Sequence, residues 1–213
     1  MSENQIQTTA EEITNAVLHG IGLGLAIAAL VILIIFASLY GSTWHLVGFI
    51  IYGITLIFLY LSSTLYHSFP QGKWKKTLRV IDHASIFLLI AGTYTPVTLT
   101  AMRGPWGWSI FGVVWGIALL GIVLKIFYIN RFKYLSLAMY AAMGWLIVVA
   151  INPLLESVNN TSLAFLLAGG LAYTVGIIFY AWKKLPFGHA IWHLFVLAGS
   201  IFHFFTVFYL LPF

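Results

Sequence analysis

A few histidines, one aspartate and one serine carry the chemical potential of this chain. His189 and His193 stand four residues apart in His189-Ala190-Ile191-Trp192-His193. On a helix that spacing puts two imidazoles on one face with Cβ atoms about 6 Å apart, which suits the sharing of one metal ion. Taken alone, the pair reads equally well as two interfacial histidines at a helix start. Ser63 and His67 repeat the spacing in Ser63-Thr64-Leu65-Tyr66-His67. Ser63 either bonds His67, a water or a substrate oxygen, or bonds a carbonyl of its own helix. Asp82 is held ionised by a nearby cation or metal-bound water, or it pairs with Arg79 three residues earlier.

These residues sit in a chain of 213 residues that is 62% hydrophobic and only 7% charged. Soluble domains carry roughly 25% charged residues, and a soluble fold of this size could not hide so much apolar surface. The composition therefore predicts an all-α, polytopic membrane protein. Seven apolar runs are each near the roughly 20 residues that cross a bilayer as a helix. They are Ala16–Leu39, Trp44–His67, Leu78–Ala101, Trp106–Phe127, Tyr134–Ile151, Ser162–Trp182 and His189–Leu211. Short gaps with turn chemistry separate them, among them Asn152-Pro153. Barrel strands are excluded, since they need about 10 residues of alternating polarity. Residues 1–213 read as one seven-helix domain with a short cytoplasmic N-terminal segment, 1–15. That segment contains Glu3, Glu11 and Glu12 and no Lys or Arg, so it lacks a signal-peptide pattern and the first run is expected to be retained. Gly20, Gly22, Gly24, Gly169 and Gly170 are expected where helices pack closely.

Nine of the ten Lys and Arg residues fall in the second-to-third, fourth-to-fifth and sixth-to-seventh gaps or within the run ends that border them, and Arg103 alone lies opposite. This predicts a cytoplasmic N-terminus at Met1 and an external C-terminus at Phe213. The net charge of +5 is thus a topology signal, and no basic run suggests nucleic acid. Trp44, Trp106 and Trp108 are expected at the outer interface.

The topology sorts the polar residues by depth. His19, His67, Asp82, His83, His189 and His193 fall at one level of the cytoplasmic leaflet, and Asp82 is the only acid within the seven runs. Intramembrane ionisable groups are costly and point to function. The chain has no cysteine, so a metal site must use His and carboxylate. Three histidines with an open fourth position form a catalytic zinc pattern, with a carboxylate beside the water to orient it or take its proton. His67, His189 and His193 are then the ligands of Zn2+, and Asp82 the acid beside them. His203 lies about 15 Å further along its helix than His193 and reads as a core residue bonded to a neighbouring helix. His45 reads as interfacial, and His83 points about 100° away from Asp82.

At these residues the chain resembles the hemolysin III family, the bacterial branch of the progestin and adipoQ receptors. The resemblance is carried by Glu12-Ile13-Thr14-Asn15-Ala16-Val17-Leu18-His19-Gly20, by Ser63 to His67, and by Ile81-Asp82-His83-Ala84-Ser85-Ile86-Phe87. Ala91-Gly92-Thr93-Tyr94-Thr95-Pro96 and His189 to His193 extend it over nearly the whole chain. It implies a seven-helix fold in the plasma membrane of a bacterium, with the N-terminus inside. It also implies zinc held by His67, His189 and His193, with Asp82 beside the bound water. The wider superfamily includes alkaline ceramidases and adiponectin receptors, which resemble zinc-dependent lipid amide hydrolases. The bacterial branch is named for lysis of red cells and is linked to membrane fluidity and energetics.

Three functions follow as expectations. The first is a zinc hydrolase of a membrane lipid amide or ester, with Asp82 as base and Ser63 as oxyanion donor; its partners are membrane lipids. The second is a cytolysin, through a pore or indirectly. A pore needs a polar stripe or oligomeric lumen, whereas the polar residues cluster at one depth. The third is a non-catalytic sensor or receptor stabilised by zinc.

Overall fold

The computed structural model describes residues 7–129, 131, 133–182 and 184–212, the side chains at 133 and 134 excepted. Met1, Glu3, Lys183 and Phe213, used above for charge and topology, lie outside the described residues, as does the side chain of Lys133. The described residues are all-helical: α1 (Thr9–Tyr40), α2 (Thr43–Ser68), α3 (Lys73–Leu99), α4 (Pro105–Tyr128), α5 (Lys133–Trp145), a 3₁₀ segment (Leu146–Ala150), α6 (Ile151–Ser157), α7 (Asn160–Ala181) and α8 (Gly188–Phe208). The 3₁₀ segment joins α5 and α6 into one span, Leu135–Ser157, so that seven helices are long and apolar enough to cross a membrane. Consecutive spans are neighbours, and α1 closes against α8. The third span is the most buried of the seven.

Three boundaries differ from expectation for physical reasons. Helix α1 begins at Thr9 rather than Ala16, because Thr8 and Glu11 form a reciprocal capping box. The Thr8 hydroxyl accepts from the Glu11 N–H at 3.2 Å, and the Glu11 carboxylate accepts from the Thr8 N–H at 2.8 Å. Such a box satisfies donors that a helix start otherwise leaves open. Residues 9–15, expected in a short N-terminal segment ahead of the first span, are therefore part of the first helix.

The fifth span runs to Ser157 rather than Ile151, and Asn152-Pro153 lies within α6 instead of in a gap. Pro153 occupies the first turn, where a missing N–H costs little. The irregular backbone just before it is covered by a side chain from α3. The Tyr94 hydroxyl donates to the carbonyls of Met143 (2.7 Å) and Gly144 (3.1 Å) and accepts from the Ile147 N–H at 3.0 Å. Backbone groups freed in a membrane need such a partner. Helix α3 begins at Lys73, five residues before the predicted Leu78, so it includes the basic residues of the gap.

The core divides along the bundle. One part joins Ala26 and Leu33 of α1, Phe49, Tyr52 and Leu56 of α2, and Val196 and Val207 of α8. The other joins Phe87 and Val97 of α3, Val114 of α4, and Met143 and Leu154 of the fifth span. Gly22 lets the Tyr60 ring lie where a Cβ would be, 2.5 Å away, and Gly169 does the same for the His203 ring at 2.1 Å. Gly24 faces open space, and Gly20 and Gly170 make only ordinary contacts, so the expectation of close packing holds at two of the five glycines. At the opposite end from His67, His189 and His193, the Arg103 guanidinium lies 4.5 Å over the Trp44 ring, which meets Trp108 edge-on.

Candidate metal centre

Two helices deliver the candidate ligands. His67 lies in the last turn of α2. His189 and His193 occupy the first turns of α8, one helical turn apart on one face. The structure brings one ring nitrogen from each of the three within 4.8 Å of the others. The ring centroids lie 5.2 Å apart for His67–His189, 5.0 Å for His67–His193 and 4.5 Å for His189–His193. His67 Nε2, His189 Nε2 and His193 Nδ1 are all buried without a hydrogen-bond partner.

A buried polar atom without a partner costs about 1–3 kcal/mol. Three such atoms from three side chains, turned to one point, are explained by a shared cation. With no cysteine in the chain, three neutral imidazoles suit zinc or a similar borderline metal. The buried triad can therefore hold a metal ion.

The other ring nitrogen of His67 is committed. Its Nδ1 meets Glu12 Oε2 at 2.7 Å, and Lys75 Nζ meets Glu12 Oε1 at 2.8 Å. Lys75 also donates to the carbonyls of Tyr66 and Phe69 at 3.1 Å each. This lysine, expected in a solvent-facing gap, is buried. The Asn15 backbone lies against the His193 ring, and His19 stacks on His193 with centroids 3.6 Å apart. Both nitrogens of His19 lack a partner, yet His19 is not in the converging group.

Asp82 is buried beside the site, close enough to interact electrostatically with His67 and His19. Its carboxylate lies 3.4 Å from His83 Nδ1, which itself bonds the Arg79 carbonyl at 2.8 Å. The latter is the stronger geometry for a single N–H. His83 is outside the metal-holding group, as its direction on the helix predicts. Ser63 is buried and its Oγ has no partner. The alternative that it bonds its own helix is thus set aside. Ser62 next to it does make that bond, to the Leu59 carbonyl at 2.9 Å.

A cavity of about 370 Å³ opens beside the triad. Asp82, His83 and His189 form part of its wall, whereas His67, His193 and Ser63 do not. The rest of the wall is almost entirely apolar and runs along α3, the fifth span, α7 and α8. Val148, Leu155 and Leu167 line it and are also more than half exposed, so it opens sideways between the fifth span and α7. His203 lines its far part and packs on Gly169 and the Tyr173 ring. Neither His203 nitrogen makes a hydrogen bond of normal geometry, but the Leu166 backbone of α7 lies against its ring, so packing and this weak contact tie it to the neighbouring helix. Lys125, also expected at a surface gap, is buried at the cavity wall near the Tyr140 ring. His45 is half-buried and bonds Ser42 and the Leu210 carbonyl away from the triad.

Sequence reasoning missed Glu12, Lys75 and Lys125. The signal for Glu12 was present: a capping box at Thr8 and Glu11 starts the helix early and places Glu12, Asn15 and His19 along one face.

Comparison with known proteins matches the chain over most of its length. The family described as Haemolysin-III related matches residues 7–204. Hemolysin-3 of Bacillus cereus is 52% identical over 207 residues, covering 97% of this chain and 94% of that protein. The Hemolysin-3 homolog of Bacillus subtilis (strain 168) is 52% identical over 200 residues, covering 94% of each. The human monocyte to macrophage differentiation factor is 31% identical over 174 residues, covering 77% of this chain and 70% of that protein.

Proposed function

The chain belongs to the haemolysin-III-related family and is a multi-pass bacterial membrane protein, and from that premise we propose that it is a zinc-dependent hydrolase of a membrane lipid amide or ester. The observation that carries this reading is the meeting of two features. Three unpartnered imidazole nitrogens converge at one end of an apolar cavity, and that cavity is open to the lipid side. A structural metal site needs no such cavity.

His67, His189 and His193 hold the metal, which when bound supplies Lewis acidity toward a carbonyl and acidity toward water. The acyl chain lies in the cavity, entering between the fifth span and α7, so the carbonyl end meets the wall formed by Asp82 and His189. The Asp82 carboxylate accepts a proton from the attacking water and returns it to the leaving amine or alcohol. Water is thus split across the C–N or C–O bond: the acyl carbon gains the hydroxyl and the leaving group gains the hydrogen. Ser63, with its hydroxyl uncommitted one turn from His67, is the donor available to a developing oxyanion. Because it stands off the cavity wall, its contribution is the smaller.

The charge bias supports a triad end in the cytoplasmic leaflet, with the N-terminus inside. A reporter fused after Phe213 is expected to be active only outside the cytoplasm, and cytoplasmic activity would reject this orientation.

The name of the Bacillus relatives favours a lytic reading. We attribute lysis to altered lipids rather than to a pore, because the unpartnered polar groups other than His203 gather at one end of an apolar cavity and line no continuous polar path. The test is a screen of lipid amides and esters with the purified protein, with and without a chelator. Chelator-sensitive release of fatty acid is expected. Zinc binding without turnover on any of them would favour the zinc-stabilised sensor.

A further inference from the structure

Helix α1 contributes no residue to the converging triad, yet it touches both halves of it. Glu12 accepts from His67 of α2. Glu11 Oε1 accepts from the backbone N–H of Phe187 at 3.0 Å. Phe187 caps α8 just before His189 and has φ 54° and ψ 16°, a left-handed conformation that costs a non-glycine residue energy. Further along the same helix face, the Asn15 backbone lies against the His193 ring, and the His19 ring stacks on it. Positions 11, 12, 15 and 19 fall on one stripe, at intervals of three and four residues.

We infer that this stripe is the positioning element of the metal centre, and that Glu12 is its main member. The inference rests on the triad being the metal site. A histidine presents one nitrogen to a metal only when its proton is on the other. A carboxylate against that second nitrogen fixes the proton there, fixes the ring, and makes the ligand more basic. The geometry here has both parts: Nδ1 of His67 lies 2.7 Å from the Glu12 carboxylate, and Nε2 is buried with no partner. Glu12 is in turn held by Lys75, which fastens it to the end of α2 through two carbonyls. The carboxylate therefore reaches His67 from a fixed point, and it does so from a helix whose own start is fixed by the Thr8–Glu11 box. Glu11 performs the matching task for the other half of the site. It holds the strained turn that sets where α8 begins, and with it the direction of His189 and His193.

A merely structural Glu12 would join α1 to α2 and α3, and Lys75→Met would disturb that as much as any change at Glu12. The two roles separate in a set of three variants of the full-length protein in lipid nanodiscs: Glu12→Leu, Glu12→Gln and Lys75→Met. Two readouts are taken. One is zinc affinity by competition with a chromogenic chelator. The other is the nitrogen-15 shifts of the His67 ring in metal-free protein, which distinguish a proton on Nδ1 from one on Nε2. In wild type the proton is expected on Nδ1. Glu12→Leu should lose that preference and bind zinc roughly 10–100-fold more weakly. Glu12→Gln retains an acceptor, so it should keep the tautomer with a smaller loss of affinity. Lys75→Met leaves the Glu12–His67 bond in place, so it should lower the melting temperature but change zinc affinity by less than about threefold, well short of the loss expected at Glu12. The inference is overturned if wild-type His67 carries its proton on Nε2. It is also overturned if Glu12→Leu binds zinc as wild type does, or if Lys75→Met weakens zinc as much as Glu12→Leu. Should Glu12→Leu fail to fold, Glu12→Gln against Lys75→Met carries the same comparison. Absence of zinc binding in wild type would reject the metal function, and the metal-free tautomer would still decide the role of Glu12.

Discussion

Two buried polar clusters lie about two helical turns apart along α8, and they differ in one respect. The first is the triad of His67, His189 and His193 with Ser63 beside it. The second joins Tyr52, Tyr60, Tyr173 and Ser200 deeper in the bundle. In the second, every hydroxyl is paired: Tyr60 donates to Ser200 Oγ at 2.8 Å, Tyr173 meets the same oxygen at 2.9 Å, and Tyr52 donates to the Ser200 carbonyl at 3.3 Å. In the first, one nitrogen of each histidine and the Ser63 hydroxyl have no partner. The His19 ring stands between the clusters, stacked on His193 and edge-on to Tyr60. Burial of polar groups is therefore not by itself a mark of function. A closed network ties α2, α7 and α8 together, whereas converging open valences wait for a ligand.

Substitutions should separate the clusters sharply. The largest effect is expected at the ligands. His67→Ala, His189→Ala or His193→Ala should weaken zinc by more than the roughly 10–100-fold that losing a supporting partner costs, and lower the melting temperature by removing a tie between α2 and α8. Zinc retention in any of the three would remove that residue from the site. Next comes Asp82→Asn, which keeps shape but cannot accept a proton. It should retain zinc and fold while losing hydrolytic turnover by roughly 10²-fold or more. Loss of zinc would make Asp82 a direct ligand instead. If Asp82 only pairs with Arg79, then zinc and turnover would both survive, and Arg79→Gln would be as damaging as Asp82→Asn.

The closed contacts predict changes of another kind. Tyr94→Phe leaves the irregular backbone of the fifth span without its cover and is expected to cost about 1–3 kcal/mol of stability, read as a lower melting temperature with zinc content unchanged. Tyr60→Phe should be the mildest, about 0.6 kcal/mol, the mean for hydrogen bonds between membrane helices. Ser200 keeps its Tyr173 partner in that variant. A fall in zinc content with Tyr60→Phe would show that the two clusters act as one.

The residues of the triad were legible because one spacing and one charge pattern expose them. The i,i+4 spacing pairs His189 with His193, and the charge of the gaps sets the depth of all three ligands. The seven spans were legible from the lengths of the apolar runs and the turn residues between them. Glu12 was not, because span one was bounded by hydropathy, which ends where acids begin. The capping box that extends the helix to Thr9 is a hydrogen-bonding signal and has no apolar signature. Lys75 and Lys125 were read as topology charges, since burial of a lysine depends on tertiary neighbours: Glu12 and two carbonyls for Lys75, the cavity wall and the Tyr140 ring for Lys125. The 3₁₀ segment at Leu146–Ala150 depends on Tyr94, about fifty positions earlier, and no local pattern announces it. The Tyr–Ser cluster was equally silent, since its members are scattered over three helices and tyrosine in a membrane helix is ordinary.

Metal content is the most direct test of the central claim that the three open imidazole nitrogens are a metal site. Protein purified gently, without chelators, and analysed by mass spectrometry of its metals is expected to carry about one zinc per chain. Less than about a tenth of an equivalent of any transition metal, in protein that is folded and retains its melting transition, would contradict the account.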